Sequence, residues 1–263
     1  MATNTPSVIY RGNPQYGATN VVRTVTTAAL TSNLVTLTFG SNHGLTQVGT
    51  LINVQGVGAS YDGLFPVHSF PGLNTATYVV TTANIGSASV TPNGSAIFNS
   101  GVTVGGAISN NAITNYTAIV TTSASHGLAI GDIVRVNTGT TGIDGTWVVT
   151  SIPSATLFTF ISTTQTLAST AITQGAFAKA PDVYTVAAST TAILTNIVIT
   201  NPTTTTINAS VSIDNVPLLK QLSVAANGTT FIDMKQVLGT TKKVSVLLTI
   251  PQADVQISGM TVV

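Results

Sequence analysis

The sequence predicts an all-β protein: two tandem small β-barrel or sandwich repeats followed by a C-terminal antiparallel β-sandwich, with an extended N-terminal arm. Three observations predict it. Threonine supplies about one residue in five, and its β-branched side chain suits a pleated, half-buried surface. Helix-forming charged residues are nearly missing: only 6% of the 263 residues are charged, against about 25% in an ordinary domain, and glutamate is absent. Short apolar-alternating runs are broken about every eight to twelve residues by Gly, Asn, Asp or Pro, the punctuation of antiparallel strands.

Residues 1–20 carry two prolines and two glycines around "SVIYRG" and read as an arm that adds a strand to another domain or subunit. Residues 21–100 and 101–180 read as two copies of one module, offset by about eighty residues. "NLVTLTFGSNHGL" answers "NYTAIVTTSASHGL", "DGLFPVHSF" answers "DGTWVVTSI", and the copies close on "AIF" and "GAF". Residues 181–263 change pattern and read as a sandwich of seven or eight strands. "INASVSID" alternates Ile207, Ala209, Val211 and Ile213 with Asn208, Ser210, Ser212 and Asp214, the period of a half-buried strand. "KVSVLLTI" repeats this with Val244, Val246, Leu248 and Ile250. Asn227-Gly228 in "AANGTT" is a hairpin signal because both residues tolerate positive φ, and "DMKQVLG" reads as one helical turn.

A formal charge of +1 and eight scattered Lys and Arg give no field to hold a phosphate backbone, so nucleic acid is not an expected partner. No apolar run reaches bilayer length, and "MATNTPSVIYRGNPQ" lacks the regions of a signal peptide, so folding and assembly are expected in the cytoplasm without a membrane partner. Without cysteine there is no disulfide and no thiolate chemistry.

The repeated His-Gly-Leu places His43 beside Gly44 and His126 beside Gly127. Neutral imidazole serves as a metal ligand or general base, yet the third histidine, His68, falls where the second copy has Ser151, and the only acids are seven aspartates. The expectation is structural: glycine permits a turn, and the imidazole hydrogen-bonds backbone groups that the turn leaves open. The repeated Asp-Gly, Asp62-Gly63 and Asp144-Gly145, raises a carboxylate pair for glycoside cleavage, but the two aspartates sit in different copies and would need a special geometry to meet. Both are therefore expected to be turn residues. Asp132 lies where the first copy has Thr50 and is expected to serve its turn without dependence on charge. Phe65 and Trp147, each two residues beyond the Asp-Gly glycine, and Phe158 are expected core aromatics; an exposed Phe65–Trp147 pair would instead stack on sugars. The glycine-rich "GVTVGG" has no following helix and cradles no phosphate. No catalytic, metal or cofactor site is expected.

The series H-G-L, G-D-x-V, D-G-x-W-x-V and "TLFTF" resembles small β modules that recur in virion proteins of tailed bacteriophages. From "YTVAAST" through "TNIVITN" to "VQISGM", the C-terminal segment is similar to another recurring phage structural module. The first copy departs by writing "QVGT" where the second has "IGDI". The resemblance implies a non-enzymatic virion structural protein, assembled in the host cytoplasm, with capsid decoration or cementing as the leading task. A tail, neck, baseplate or fibre-base component is the alternative, and a virion carbohydrate-binding protein the second. The implied partners are other copies of the chain, with a trimer favoured, and virion proteins such as the major capsid protein.

Overall fold

The structure, a computed structural model, describes residues 5–14, 20–82, 85–99, 104–249 and 252–262. The expected join between the copies, between residues 100 and 101, lies outside these, as do residues 1–4 and 15–19 of the expected arm. Every regular element among the described residues is a β-strand. The chain forms two compact units, Ala18–Lys179, and Met1–Gly17 with Ala180–Val263. Strand β1, Thr5–Gly12, belongs to the second of these.

The Ala18–Lys179 unit contains one strand pattern twice. The first copy comprises β2 (Asn20–Thr31), β3 (Leu34–Phe39), β4 (Leu51–Gln55), β5 (Gly63–Pro66), β6 (Ser69–Gly72), β7 (Thr75–Val79) and β8 (Ile85–Asn99). The second comprises β9 (Gly105–Thr114), β10 (Thr117–Thr122), β11 (Ile133–Asn137), β12 (Gly145–Val148), β13 (Ser151–Ser154), β14 (Leu157–Ile161), β15 (Leu167–Ala171) and β16 (Ala176–Lys179). Their sheet orders are β5-β4-β8-β2-β3-β7-β6 and β12-β11-β16-β9-β10-β14-β13, identical strand for strand. The long β8 runs beside both β2 and β4; its counterpart is broken into β15 and β16, both paired with β9. The repeated spelling is thus a repeated fold.

Local chemistry explains the first hairpin of each copy. Ser32-Asn33 and Asn115-Tyr116 hold φ of 50° and 65°, and of 48° and 65°, the two positive values of a type I′ turn whose twist matches its strands. Alternation then sends Val35, Leu37 and Phe39 into the first core with Tyr78 and Phe98, and Ala118 and Val120 into the second with Phe158, Phe160 and Phe177.

The two copies meet along a close seam. Gly49, at φ +86°, lies so near Gly105 and Gly106 that an added Cβ would sit 2.5 Å from the Gly106 nitrogen and the Phe177 carbonyl oxygen, so only glycine fits. Gly49 belongs to the divergent "QVGT", and Gly131 in the matching turn has nearly the same φ, +89°. The turn survives the change in spelling. A second contact comes from His68, whose Nδ1 accepts the Gly175 N–H at 3.2 Å.

The other unit comprises β1, β17 (Asp182–Thr185), β18 (Thr191–Thr200), β19 (Ile207–Ile213), β20 (Val216–Val224), β21 (Thr229–Leu238), β22 (Lys243–Leu248) and β23 (Asp254–Val262). Two four-stranded sheets, β1-β23-β18-β21 and β17-β22-β19-β20, enclose Leu194, Ile197, Val211, Val244, Val246 and Val255, giving a sandwich of eight strands of which one comes from the arm. A bulge between Val8 and Tyr10 sets both Ile9 and Tyr10 against this core.

Three expectations are corrected here. "DMKQVLG" is not a helical turn: its first six residues lie in β21, where pairing with β18 outweighs local propensity. Asn227-Gly228 is not a hairpin either, because β20 and β21 lie in different sheets and only Asn227 of the pair has a positive φ, 51°. The hairpin is at Asp214-Asn215, φ 50° and 62°. Finally, β19 is buried on both faces: Ser210 and Ser212 are only 3% and 2% exposed, and the Ser210 hydroxyl accepts the Gln221 N–H. Ile250 lies outside the described residues.

Candidate functional site

The His-Gly-Leu turns have one geometry in both copies. His43 Nδ1 accepts the Leu45 N–H at 2.8 Å and Nε2 faces the Gly72 carbonyl at 3.0 Å; His126 makes the same bonds with Leu128 N, 3.0 Å, and Ser154 O, 3.1 Å. A ring that accepts through Nδ1 and donates through Nε2 has both nitrogens engaged. Gly44 and Gly127 take φ of +74° and +63°, which lets the chain fold back under each imidazole. Both rings are buried and meet Phe39 and Phe158 edge-on, at 5.8 and 5.6 Å. Among the described residues no group of three His, Cys, Asp or Glu could hold a metal ion.

Each Asp-Gly aspartate braces the loop that precedes it. Asp62 accepts the N–H groups of Gly56, Val57 and Gly58 at 3.0–3.2 Å, and Asp144 accepts Thr138 N, Thr138 Oγ1 and Gly139 N at 2.6–2.9 Å. Gly63 and Gly145, at φ +143° and +148°, make room for the aromatic ring two residues on, since a Cβ would approach the Phe65 ring to 3.0 Å and the Trp147 ring to 3.2 Å. Trp147 is buried, stacks on Phe160 at 4.8 Å and donates its indole N–H to the Ile143 carbonyl. Phe65 is half-buried, stacked on Tyr78 at 4.4 Å. Phe158 is fully buried.

Asp132 departs from expectation. It is 3% exposed, accepts the Ala129 N–H at 2.7 Å and pairs with Lys179 at 3.3 Å, so its charge has a partner that Thr50, donating to the Gln47 carbonyl, does not need.

The seam brings the two Asp-Gly turns to one cleft. Asp62 and Asp144 line one open cleft of about 420 Å³ between the copies, together with Phe65, Ser60, Arg135 and Asn137. Arg135 and Asn137 are two apart on β11, on the face opposite Val134 and Val136, whose side chains enter the core. The Arg135 Nε and the Asn137 Oδ1 are enclosed and have no hydrogen-bond partner among the described residues. Burial lowers the Arg135 pKa, against the pull of Asp144, and burial raises that of Asp144, against the hydrogen bonds from Thr138, Gly139 and Thr140. Sequence reading did not find Arg135 or Asn137, because nothing in a strand of alternating residues signals what its outer face meets.

No protein-family model matches the chain, and no curated protein matches it in sequence. Among solved structures, a phage phi92 endosialidase is similar over 67% of this chain and 30% of its own, at 16% identity and a TM-score of 0.26. An uncharacterized protein from Listeria monocytogenes EGD-e, solved with glucose, magnesium and calcium, is similar over 93% of this chain and 22% of its own, at 9% identity and 0.20. A cycloalternan-forming enzyme from Listeria monocytogenes follows at 88%, 30%, 8% and 0.18. The chain spans less than a third of each of these proteins. Likeness at this level is a common use of β-structure and assigns no activity.

Proposed function

We propose that this chain is a non-catalytic structural protein of a tailed-phage particle that works by association, with decoration of the capsid as its task. The observation that supports association is the outer face of the β1-β23-β18-β21 sheet. Phe231, 68% exposed, stands opposite Val198 on the neighbouring strand, and Val237, 57% exposed, stands opposite Ile193. Both lie on β21, an edge strand of this sheet, and apolar side chains beside an open edge form a surface suited to burial against a partner. The non-catalytic reading is supported by His43, His126, Asp62, Asp132 and Asp144, each bonded within its own turn. The phage particle enters through the motif resemblance.

Immunogold labelling of purified particles, with copy number by quantitative mass spectrometry, tests this. Labelled heads with copies in the hundreds are expected, as decoration of a symmetric shell demands. Labelled tails with a few to dozens of copies would move the chain to the tail, neck, baseplate or fibre base. Absence from particles would overturn the structural reading.

A further inference from the structure

We infer that the open edge of β21 is where two molecules of this chain join, by antiparallel pairing of β21 with β21 of a second molecule about a two-fold axis at Met234. This deepens the reading that the chain works by association, and rests on it. The sandwich has four edge strands, β1, β17, β20 and β21. Exposed edges invite pairing, and proteins blunt them with proline, bulges and short strands. Three of the four are blunted in this way. β1 contains Pro6 and a bulge, β17 has four residues, and β20 carries Pro217, two slips in its ladder and Gln221 at a φ of 53°. β21 runs for ten residues with no proline, no glycine and no positive φ. Among the described residues no strand pairs with its second side.

The residues of β21 complement themselves. Ile232, Met234 and Leu238 pack on the core of the sandwich, while Phe231, Asp233, Lys235 and Val237 alternate with them and are all exposed. This alternation continues past Thr195, where the ladder to β18 slips. With the axis at Met234, Asp233 faces Lys235 of the second molecule, Lys235 faces its Asp233, and Phe231 and Val237 face each other at both ends. Opposite charges, and an aromatic beside a β-branched residue, are cross-strand pairs that stabilise antiparallel sheets. A lysine on an edge would by itself repel a like strand, but Asp233 supplies its opposite. Other registers lose these pairs. Moving the axis by one residue, to Asp233 or to Lys235, sets two aspartates or two lysines against each other. A half-step pairs core-facing residues with exposed ones, which a sheet with one buried face does not accept. Among the described residues neither Asp233 nor Lys235 has an ion-pair partner within the chain, so both charges are available.

An apolar groove lies at each end of the contact. Val237 lines an open groove of about 320 Å³ together with the exposed Val216 and Leu218 of β20, and the pairing brings Phe231 of the second molecule beside Val237. The backbone ladder and these apolar side chains hold the two molecules, while the charges, exposed and easily screened, select the register. An isologous two-fold contact makes a dimer or an even-numbered assembly, in place of the trimer that the motif resemblance implies.

Sedimentation of the full chain at low salt, where charges are least screened, tests the register. Asp233→Lys sets lysine against lysine at both charged pairs, and Lys235→Asp sets aspartate against aspartate. Each variant alone is expected to weaken the dimer by about tenfold or more. An equal mixture of the two is expected to form a heterodimer as tight as the wild-type dimer, because every like pair becomes an opposite one, and the double variant Asp233→Lys, Lys235→Asp is expected to restore the homodimer. All four positions used in the test are exposed, so the variants keep the fold. The chain has no cysteine, so Phe231→Cys mixed with Val237→Cys is expected to give disulfide-linked dimers on mild oxidation, and neither variant alone is expected to do so. A dimer unmoved by both charge variants, a mixture that does not recover, or crosslinks within either cysteine variant alone would overturn the pairing and leave association through another face standing. A wild-type chain that is monomeric at its highest soluble concentration would also overturn the pairing, while the virion reading would still be decided by the labelled particles.

Discussion

At the residue scale, His43 and His126 show how local chemistry closes a turn. Each imidazole bonds to a backbone N–H two residues on and to a carbonyl on a neighbouring strand, so the ring closes a turn that glycine makes sterically open. The nearer of these bonds is visible in the sequence because it spans two residues. Arg135 and Asn137 were illegible for the opposite reason: what surrounds them is set only where β11 of one copy faces β5 of the other. His126→Ala is expected to leave the Leu128 N–H and Ser154 carbonyl without their partner inside a closed turn, lowering stability by about 1–3 kcal/mol. In a unit of this size that is several degrees in the thermal midpoint, and His43→Ala is expected to match it. A midpoint unchanged in both variants would show that the rings are dispensable to their turns.

At the scale of elements, pairing overrides local preference. "DMKQVLG" carries residues compatible with a helical turn, but β18 offers β21 a full ladder of backbone bonds, and strand formation follows. Alternation predicted the strands well, yet it was blind to which faces are covered, as Ser210 and Ser212 show. The arm is a clearer case. "SVIYRG" has no domain of its own, and β1 finds its ladder on β23, anchored at its end by the Asn13 side-chain amide on the Ala253 carbonyl. Its Tyr10 reports that docking. Burial, with Asp254 nearby, pushes the phenol up to about 12 from its ordinary 10. A raised folded pKa means that the protonated form is the one docking favours. The contribution is whole below pH 10 and lost as pH rises through 12. Burial also raises Tyr78 and Tyr184, so absorbance titration at alkaline pH should show several late-ionising tyrosines, fewer by one in Tyr10→Phe, and that variant's arm should stay docked to higher pH by limited proteolysis. An early, solvent-like ionisation of Tyr10 would contradict the docked arm.

At the scale of the whole molecule, the composition that predicted strands also limits how copies can hold together. With 6% charged residues and a net charge of +1, little self-repulsion opposes contact between chains, and mean hydropathy is +0.44. The C-terminal unit's ion pairs, Lys242–Asp214 and Lys243–Asp182, join partly exposed groups within the unit, where such pairs contribute little. The proposed association would then come from apolar and hydroxyl surface, with Phe231 and Val237 as the apolar part. A closed symmetric oligomer would bury these side chains in a contact repeated between neighbouring copies. Sedimentation analysis is expected to give a mass above the 26.7 kDa of one chain that does not change when salt rises from about 0.1 to 1 M, although the screening length falls from about 10 to 3 Å. The double variant Phe231→Asp, Val237→Asp is expected to sediment as a monomer with its fold intact, because both side chains already lie in solvent and leave the core untouched. Dissociation of the wild-type oligomer by salt would point to a contact held mainly by charge, and an unchanged mass in the double variant would place the interface on some other face of the chain.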